Sequence, residues 1–203
     1  MNTIICDKQA ISPSKIVCVG RNYVEHIKEL NNEIPDHAVI FIKPNSAISD
    51  QAYSGVEEAI HYESELSFII ENNHIKAVGF GLDLTKRGLQ STLKAKSLPW
   101  ERAKGFDRSA VFSEFVSFSG KLEDLSLQLF INEQLTQHAN FDLMIYKPLQ
   151  LLKEVATFMS FSDGDILMTG TPKGVGELIA NDRLVGRIYA GDKLLIEQQW
   201  IVK

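Results

Sequence analysis

The sequence has little cysteine, no long apolar run and no block of basic residues. Cys6 and Cys18 are its two cysteines, and neither belongs to a Cys-x-x-Cys motif, so we expect no disulfide framework and no cysteine-ligated metal. Cys18 lies in an apolar run and is predicted to be a buried thiol. No apolar run approaches the roughly 20 residues that cross a bilayer, and the N-terminal segment lacks the pattern of a signal peptide. We therefore expect a cytoplasmic protein without a membrane partner.

The charge balance argues against a nucleic-acid partner. The chain has 203 residues, with 21 lysines and arginines against 26 acidic residues, a net charge of −5. A surface of this sign repels phosphate backbones unless basic residues cluster, and they do not cluster in this sequence. The length predicts a single domain, 1–203, in which residues 1–14 form an N-terminal extension.

Short apolar and alternating segments predict many strands and few helices. Pro148–Phe161 is the clearest helix, with proline in its first turn and an apolar stripe along one face. The strands do not alternate regularly with helices, which favours an α+β fold with a mostly β core. Strands are predicted at Lys15–Gly20, Ala38–Lys43, Tyr62–Ile70, Asp163–Met168 and Asp192–Val202, a hairpin from Leu125 through Ala139, and further helices at Arg21–Leu30 and Thr85–Lys96.

Three acidic residues form a candidate metal site. Glu63 and Glu65 lie two residues apart on a predicted strand, so both side chains leave the same face, and Ser64 points away. Asp83 stands between two leucines, an unusual place for an isolated charge. Three carboxylates that converge would suit Mg²⁺ or Mn²⁺. Glu-x-Glu is also a common pattern on a solvated strand face, with Asp83 as a helix N-cap, and the spacing alone favours that alternative.

Three further segments are ambiguous in the same way. His26 and Glu29 are three apart on a predicted helix, where a glutamate can orient a histidine as a general base, or both can be solvated. Lys104 can have its pKa lowered near a cation, can bind an oxyanion, or can be an ordinary surface lysine. The loop TGTPKGVG, residues 169–176, can bind a small carboxylate through its backbone N–H groups or can be a structural turn.

The order of these segments resembles that of a known family. CVGRNYVEHIKE, FIKP, HYESEL, LDLTKR, PWERAKGFD and LMTGTPKGVG together resemble the fumarylacetoacetate hydrolase family, in its compact single-domain, acylpyruvase-like branch. The resemblance extends from about Lys15 to the C-terminus. It implies a mixed β-sandwich roll with few peripheral helices, a homodimer, and a divalent metal, Mg²⁺ or possibly Mn²⁺.

The resemblance also implies a role for each candidate residue. The implied metal ligands are Glu63, Glu65 and Asp83; the catalytic residues are His26 and Glu29 on a mobile lid together with Lys104; and the substrate-binding residues are Arg21, Asn22, Tyr23, Gln137 and Thr171. The sequence departs from the family in three places, one of which is Tyr62, where this branch commonly has a second histidine. The segment between Glu65 and Asp83 is shorter than expected, and Gly88 follows Arg87 where many relatives have an acidic residue.

Several reactions are compatible with these residues. The resemblance implies hydrolysis of a C–C bond in acylpyruvate-like or fumarylpyruvate-like diketo acids, in which His26 activates water and Lys104 helps to stabilise the enolate that leaves. Retention of His26 and Glu29 favours this hydrolase narrowly. The alternatives are an oxaloacetate decarboxylase, a keto–enol tautomerase or isomerase of 2-oxo dicarboxylic acids, and a non-catalytic metal-binding scaffold.

Overall fold

The structure is a computed structural model that describes residues 1–29, 35–55 and 57–203. Within these ranges the chain folds mostly into short strands, with α-helices at the periphery. The strands are β1 (Ile4–Cys6), β2 (Gln9–Ile11), β3 (Lys15–Gly20), β4 (Val39–Pro44), β5 (Ile48–Ser49), β6 (Ile60–Tyr62), β7 (Ser64–Glu71), β8 (His74–Asp83), β9 (Thr85–Lys86), β10 (Ala110–Phe112), β11 (Val116–Ser117), β12 (Leu125–Ile131), β13 (Gln134–Asn140), β14 (Ile166–Met168), β15 (Gly176–Glu177), β16 (Arg183–Ala190) and β17 (Lys193–Ile201). The helices are α1 (Val24–Glu29), α2 (Arg87–Ala95), α3 (Glu101–Lys104) and α4 (Pro148–Val155). The α+β prediction is confirmed, and none of the helices in the described ranges is long and apolar enough to cross a membrane.

The predicted elements differ from the structure mainly at their ends. The helix predicted over Arg21–Leu30 begins at Val24, and its last predicted residue, Leu30, lies outside the described residues. The helix predicted from Thr85 begins two residues later, because Thr85 and Lys86 pair with β6 as a strand. The helix predicted to reach Phe161 ends at Val155. The N–H groups of residues 157 and 158 bond to carbonyls three residues back, which tightens and closes the last turn.

Two sheets enclose the main core. The larger, mixed sheet has the strand order β4-β3-β14-β7-β8-β10-β5, with β11 also pairing with β8. An antiparallel sheet in the order β13-β12-β16-β17 covers one face, and the rings of Phe80 and Trp200 meet between the sheets with centroids 5.8 Å apart. A side chain at Gly186 would lie 2.8 Å from the Phe80 ring, so glycine is required for this close approach. The shorter sheet β15-β6-β9 lies beside the residues described below as the site.

The N-terminal residues pack against the opposite face of the larger sheet. The β1–β2 hairpin buries Ile4 and Cys6 in a second apolar cluster, which also contains Cys18 and Phe115. Both cysteines are free and buried, as predicted for Cys18, and burial raises the pKa of its thiol well above the ordinary value. Residues 1–14, predicted as an extension, therefore contribute to the core that supports the central strands.

Asp165 ties this N-terminal segment to the sheet, and we expect Asp165→Asn to destabilise the fold. The fully buried carboxylate accepts hydrogen bonds from Ser14 N and Oγ, Lys15 N and Nζ, and Ser162 N. An amide has one acceptor oxygen, and its NH₂ group would face these donors, so about 2–4 kcal/mol of unfolding free energy should be lost at pH 7. Urea unfolding measures this loss, with the exposed Asp192→Asn as the matched control.

The same carboxylate predicts a pH dependence. Burial alone would raise the pKa of Asp165, but hydrogen bonds from Lys15, Ser162 and Ser14 lower it below its ordinary value. Its contribution is therefore fully present above the unfolded-state pKa of about 3.9 and is lost as the pH falls through the folded-state pKa. The difference in unfolding free energy between wild type and Asp165→Asn should shrink between pH 5 and pH 2. A difference that grows on acidification would contradict this account.

Candidate active site

The three predicted metal-ligating carboxylates converge, and a hairpin is the reason. Strands β7 and β8 are joined by Asn72 and Asn73, whose φ angles of 50° and 60° suit a tight two-residue hairpin turn. The register places Asp83 beside Glu63, with the Asp83 N–H donating to the Glu63 carbonyl at 2.8 Å. Carboxylate oxygens of Glu63, Glu65 and Asp83 lie within 4.8 Å of one another, and all three residues are buried.

Basic side chains compensate the charge of this cluster. The Lys104 ammonium donates to Glu63 Oε2 at 2.9 Å and to Asp83 Oδ2 at 2.6 Å. The fully buried Lys43 ammonium lies 2.8 Å from Asp83 Oδ1, and Arg87 Nη2 bonds Glu63 Oε1. Glu65 instead accepts the Gly170 N–H through Oε2 at 2.7 Å. The three carboxylates are therefore matched in number by three cations.

The pKa shifts show how strongly these groups interact. Burial, with the nearby Asp83 and Glu63 carboxylates, raises the pKa of Glu65 well above its ordinary value. Burial would also raise the pKa of Glu63, but Lys104 and Arg87 lower it below the usual range. Burial would lower the pKa of Lys104, but Asp83 and Glu63 raise it above the ordinary value. Lys104 is therefore a cation that holds the carboxylates together, and its pKa is raised rather than lowered.

The donor set fits a hard divalent cation. The three buried side chains offer only oxygen ligands, the type that Mg²⁺ and Mn²⁺ prefer. Burial and then repulsion from Asp83 and Glu63 raise the pKa of Glu65, and a bound cation would relieve that repulsion. The cluster thus has the chemistry of a metal site on the residues that the sequence predicted.

His26 and Glu29 form the expected pair on α1. His26 Nδ1 lies 3.1 Å from Glu29 Oε2, and the histidine is buried and lines the cavity described below. Glu29 Oε1 accepts the Gly174 N–H at 3.0 Å, which fastens α1 to the glycine-rich loop. Because Glu29 occupies Nδ1, the other ring nitrogen of His26, Nε2, is the one available for proton transfer.

The backbone N–H groups of the glycine-rich loop donate hydrogen bonds to carboxylates of the protein itself. Gly170 and Gly174 have φ angles of 90° and 98°, in the left-handed region that favours glycine, and they donate to Glu65 and Glu29 respectively. Thr171 between them is buried and lines the cavity. The loop therefore connects the carboxylate cluster to the His26–Glu29 pair.

Gln137, predicted to contact substrate, is occupied by protein contacts. Its Nε2 donates to Thr171 Oγ1 at 2.9 Å and to the Pro172 carbonyl at 3.0 Å, and its Oε1 accepts the Ser64 N–H at 3.0 Å. Gln137 is fully buried in this position. It holds Thr171 against the segment that bears Glu63 and Glu65, so the structure places it behind the cavity wall.

Arg21, Asn22 and Tyr23 have different surroundings. Arg21 lines the cavity, whereas the Asn22 amide donates to the carbonyls of Tyr146 and Thr169 and accepts the Tyr146 N–H. Tyr23 is 2% exposed, and its hydroxyl has no hydrogen-bond partner among the described residues. Burial and the nearby Glu65 raise the pKa of Tyr23. Asn22 therefore fixes the backbone beside the site, and Arg21 is the member of the three that reaches the cavity.

One cavity joins these groups, and several of its residues were not predicted from the sequence. Its lining includes His26, Glu63, Lys104, Thr171 and Arg21 from the predicted set. The sequence analysis missed these lining residues: Val19, Gly20, Phe41, Arg87, Gln90, Lys94 and Trp100. It also missed Lys43, which pairs with Asp83. Arg87, Gln90 and Lys94 follow the i, i+3, i+7 spacing of one face of α2, which is the sequence signal that could have identified them.

The departure at Gly88 is compensated from another part of the chain. Glu58 Oε1 accepts the Leu89 N–H at 2.7 Å in the first turn of α2. A side chain at Gly88 would begin 3.5 Å from the same oxygen. A carboxylate is thus present at this helix end although residue 88 does not supply it, and α2 still presents Arg87 to Glu63.

The short segment between Glu65 and Asp83 has a simple structural basis. The chain passes directly from β7 through the Asn72–Asn73 turn into β8. Glu65 lies on the first of these strands and Asp83 on the second. The ligand positions are therefore retained without an intervening helix.

His26, Lys104 and Glu63 of the carboxylate cluster line one cavity, an arrangement typical of an enzyme site. The family model "Fumarylacetoacetate (FAA) hydrolase C-terminal" matches residues 15–199. The chain belongs to the fumarylacetoacetate hydrolase family, as its resemblance indicated.

Named relatives are similar over most of the chain. An oxaloacetate tautomerase from Escherichia coli is 37% identical over 189 residues, covering 84% of this chain and 86% of its own. A mitochondrial oxaloacetate decarboxylase from Dictyostelium discoideum is 36% identical over 181 residues, covering 80% of this chain and 83% of its own. These relatives are enzymes, and so is this protein.

Solved structures agree with the fold. A protein of Oleispira antarctica, provisionally assigned as a fumarylacetoacetate isomerase/hydrolase, has a TM-score of 0.95 at 34% identity, with both chains fully covered. The fumarylpyruvate hydrolase of Pseudomonas aeruginosa, solved with Mn²⁺ and pyruvate, has a TM-score of 0.89 at 26% identity and covers 99% of this chain and 95% of its own. The predicted mixed β-sandwich roll with few helices is therefore confirmed.

Proposed function

We propose that this protein is a metal-dependent oxaloacetate tautomerase that interconverts the enol and keto forms of a short 2-oxo dicarboxylic acid. The observation that carries the proposal is the carboxylate cluster, whose member Glu63 lines the same cavity as His26, a histidine held by Glu29. The name of the Escherichia coli relative supports oxaloacetate as the substrate. This is the isomerase alternative of the sequence analysis, and it has more support than the hydrolase that was placed first.

The residues have distinct tasks in this reaction. A divalent cation held by Glu63, Glu65 and Asp83 would polarise the 2-oxo group of the substrate. His26 Nε2 takes a proton from C3 of the keto form and returns it to the C2 oxygen, so the reaction balances without a co-reactant. Glu29 keeps the Nδ1 proton in place and stabilises the imidazolium. The Lys104 ammonium supplies positive charge beside the enolate.

The surroundings of His26 are compatible with proton transfer by a single base. A hydrolase also needs His26 and Glu29, but it must in addition position water against a distal carbonyl. The Mn²⁺ and pyruvate structure of the Pseudomonas aeruginosa enzyme supports hydrolysis as a second candidate, at a lower identity of 26%. The Dictyostelium discoideum relative supports decarboxylation as a third. All three reactions share the enolate, so the substrate assay must separate them.

An assay with metal-stripped protein tests the proposal. The protein is treated with EDTA and returned to Mg²⁺ or Mn²⁺, and the decay of the oxaloacetate enol absorbance is followed in weak buffer. Pyruvate release from oxaloacetate and loss of acetylpyruvate and fumarylpyruvate are measured in parallel. We expect metal-dependent enol decay without matching pyruvate release.

Other outcomes would change the assignment. Cleavage of an acylpyruvate with no acceleration of enol decay would replace the tautomerase with the hydrolase. Stoichiometric pyruvate release from oxaloacetate would indicate the decarboxylase. Mg²⁺ as the native metal, the homodimer and the cytoplasmic location stay predictions.

A further inference from the structure

Lys43 places a charge in the protein interior that no step of the proposed reaction uses. It lies near the end of β4 in FIKP, one of the segments on which the family resemblance rests, and it is fully buried. Lysine is almost never buried completely unless its ammonium is paired. The contacts of Lys43 therefore indicate what the residue does.

The Lys43 ammonium joins the two segments that bear Asp83 and Lys104. Its Nζ lies 2.8 Å from Asp83 Oδ1, and it donates to the Leu84 carbonyl at 3.1 Å and to the carbonyl of Lys104. The centre of the Phe106 ring lies 5.8 Å from the same nitrogen. The contact with Asp83 is an ion pair without an aligned hydrogen bond, because Oδ1 has no hydrogen-bond partner among the described residues. Lys43 therefore acts on Asp83 through its charge.

This charge completes the balance of the carboxylate cluster. Three carboxylates lie within reach of one another, and the cations in direct contact with them are also three: Lys43, Lys104 and Arg87. Stability alone is a weak reason for a buried ion pair, since apolar residues of similar volume often serve the fold equally well. A divalent cation bound to a balanced cluster leaves two positive charges in excess, whereas without Lys43 it would leave one.

Two positive charges match the enolate better than they match the keto acid. The reacting end of a 2-oxo acid has one negative charge, on its carboxylate, and the enolate has a second on the C2 oxygen. Because a Coulomb energy is proportional to the charge of the ligand, a fixed cation stabilises the enolate end more than the keto end. Only such a differential interaction lowers the barrier of the chemical step.

We propose that Lys43 is a positioning residue that acts by charge: through Asp83 it gives the metal-loaded site the second positive charge that stabilises the enolate. This inference rests on the proposed function, because it concerns the enolate of that reaction. Lys43 is not among the described residues that line the cavity, so it acts without touching the substrate.

Two ligands that differ by one charge test this role. Pyruvate and oxalate both offer two oxygen ligands to a metal, but pyruvate is a monoanion like the keto end of the substrate and oxalate is a dianion like the enolate. With Mn²⁺ present, Lys43→Met should weaken calorimetrically measured oxalate binding at least about tenfold. Pyruvate binding should weaken only by about the square root of that factor, because its charge is half as large. The affinity for Mn²⁺ itself should stay equal or rise, since a neighbouring cation has been removed.

Two further variants separate charge from structure. Lys43→Gln keeps N–H donors for the carbonyls of Leu84 and Lys104 but has no charge, so it should show the same loss of preference for oxalate. It also keeps the test valid if Lys43→Met fails to fold. Lys15→Met is the matched control, because the Lys15 ammonium pairs with another buried carboxylate, that of Asp165. This control should lower the melting temperature and leave the affinities for Mn²⁺, oxalate and pyruvate unchanged.

The outcomes are distinguishable. Equal losses on oxalate and pyruvate, unchanged affinities for both, or weaker Mn²⁺ binding in the Lys43 variants would overturn the charge role while the tautomerase stands. Absence of enol decay in wild type would overturn the proposed function, and the oxalate and pyruvate comparison would still decide whether Lys43 supplies the second charge.

Discussion

Glu65→Gln is expected to abolish metal binding and turnover together. The amide is nearly isosteric and can still accept the Gly170 N–H, so the loop should stay in place. It removes one of the three anionic ligands, and we expect a loss in Mn²⁺ affinity of at least about a hundredfold, above the 10–100-fold typical of groups that only support a ligand. Calorimetric titration with Mn²⁺ and the enol-decay assay measure the two effects.

The stability of the same variant provides a control. Glu65 is buried beside two other carboxylates, which raise its pKa, so replacing it by a neutral amide relieves repulsion in the metal-free protein. The melting temperature of Glu65→Gln in EDTA should therefore equal or exceed that of wild type. Glu71→Gln, at the other end of the same strand and paired with Lys76, should retain full metal affinity. Turnover by Glu65→Gln at saturating substrate in metal-free buffer would contradict the metal assignment.

His26→Gln is expected to separate proton transfer from metal binding. Glutamine can hydrogen-bond to Glu29 but cannot cycle a proton near neutral pH, and loss of a positioned general base typically costs 10²–10⁴-fold in rate. We expect kcat for enol decay to fall about a thousandfold. Mn²⁺ affinity should change little, because His26 belongs to α1 and is not among the carboxylate ligands.

The exposed His138→Gln is the matched control for this variant and should behave like wild type in both assays. A His26→Gln enzyme that retains more than a tenth of wild-type kcat would show that another group moves the proton. Loss of Mn²⁺ binding in the same variant would instead place His26 within the metal site.

The local sequence pattern was sufficient to predict elements that depend on neighbouring residues. The strand Lys15–Gly20 lies where its apolar run predicted it, and the hairpin of β12 and β13 lies where the alternation of apolar residues predicted it. The end of α4 was wrong because its apolar stripe continued to Phe158, a residue that is 63% exposed in the structure. Periodicity reports which face is apolar, but it does not report whether another element is there to cover it.

The candidate site was predicted in part. The pairing of His26 with Glu29 and the proximity of Glu63 to Glu65 follow from local spacing, whereas Asp83 joins the cluster through the pairing of β7 with β8. Gln137 and Asn22 illustrate the limit, since their hydrogen bonds run to Thr171 and Thr169, far away in the chain. Whether a polar side chain faces a ligand or holds the backbone depends on partners that the local sequence does not contain.

The sequence by itself determined the α+β class, the family and the residue types of the site. Those depend on composition, on local periodicity and on motifs in a recognisable order. Only the tertiary structure decided that Lys43 is buried against Asp83, that Glu58 supplies the carboxylate missing at Gly88, and that Lys94 enters the cavity. The physical reason is that these are electrostatic and hydrogen-bonding contacts between segments distant in sequence, and burial sets their strength.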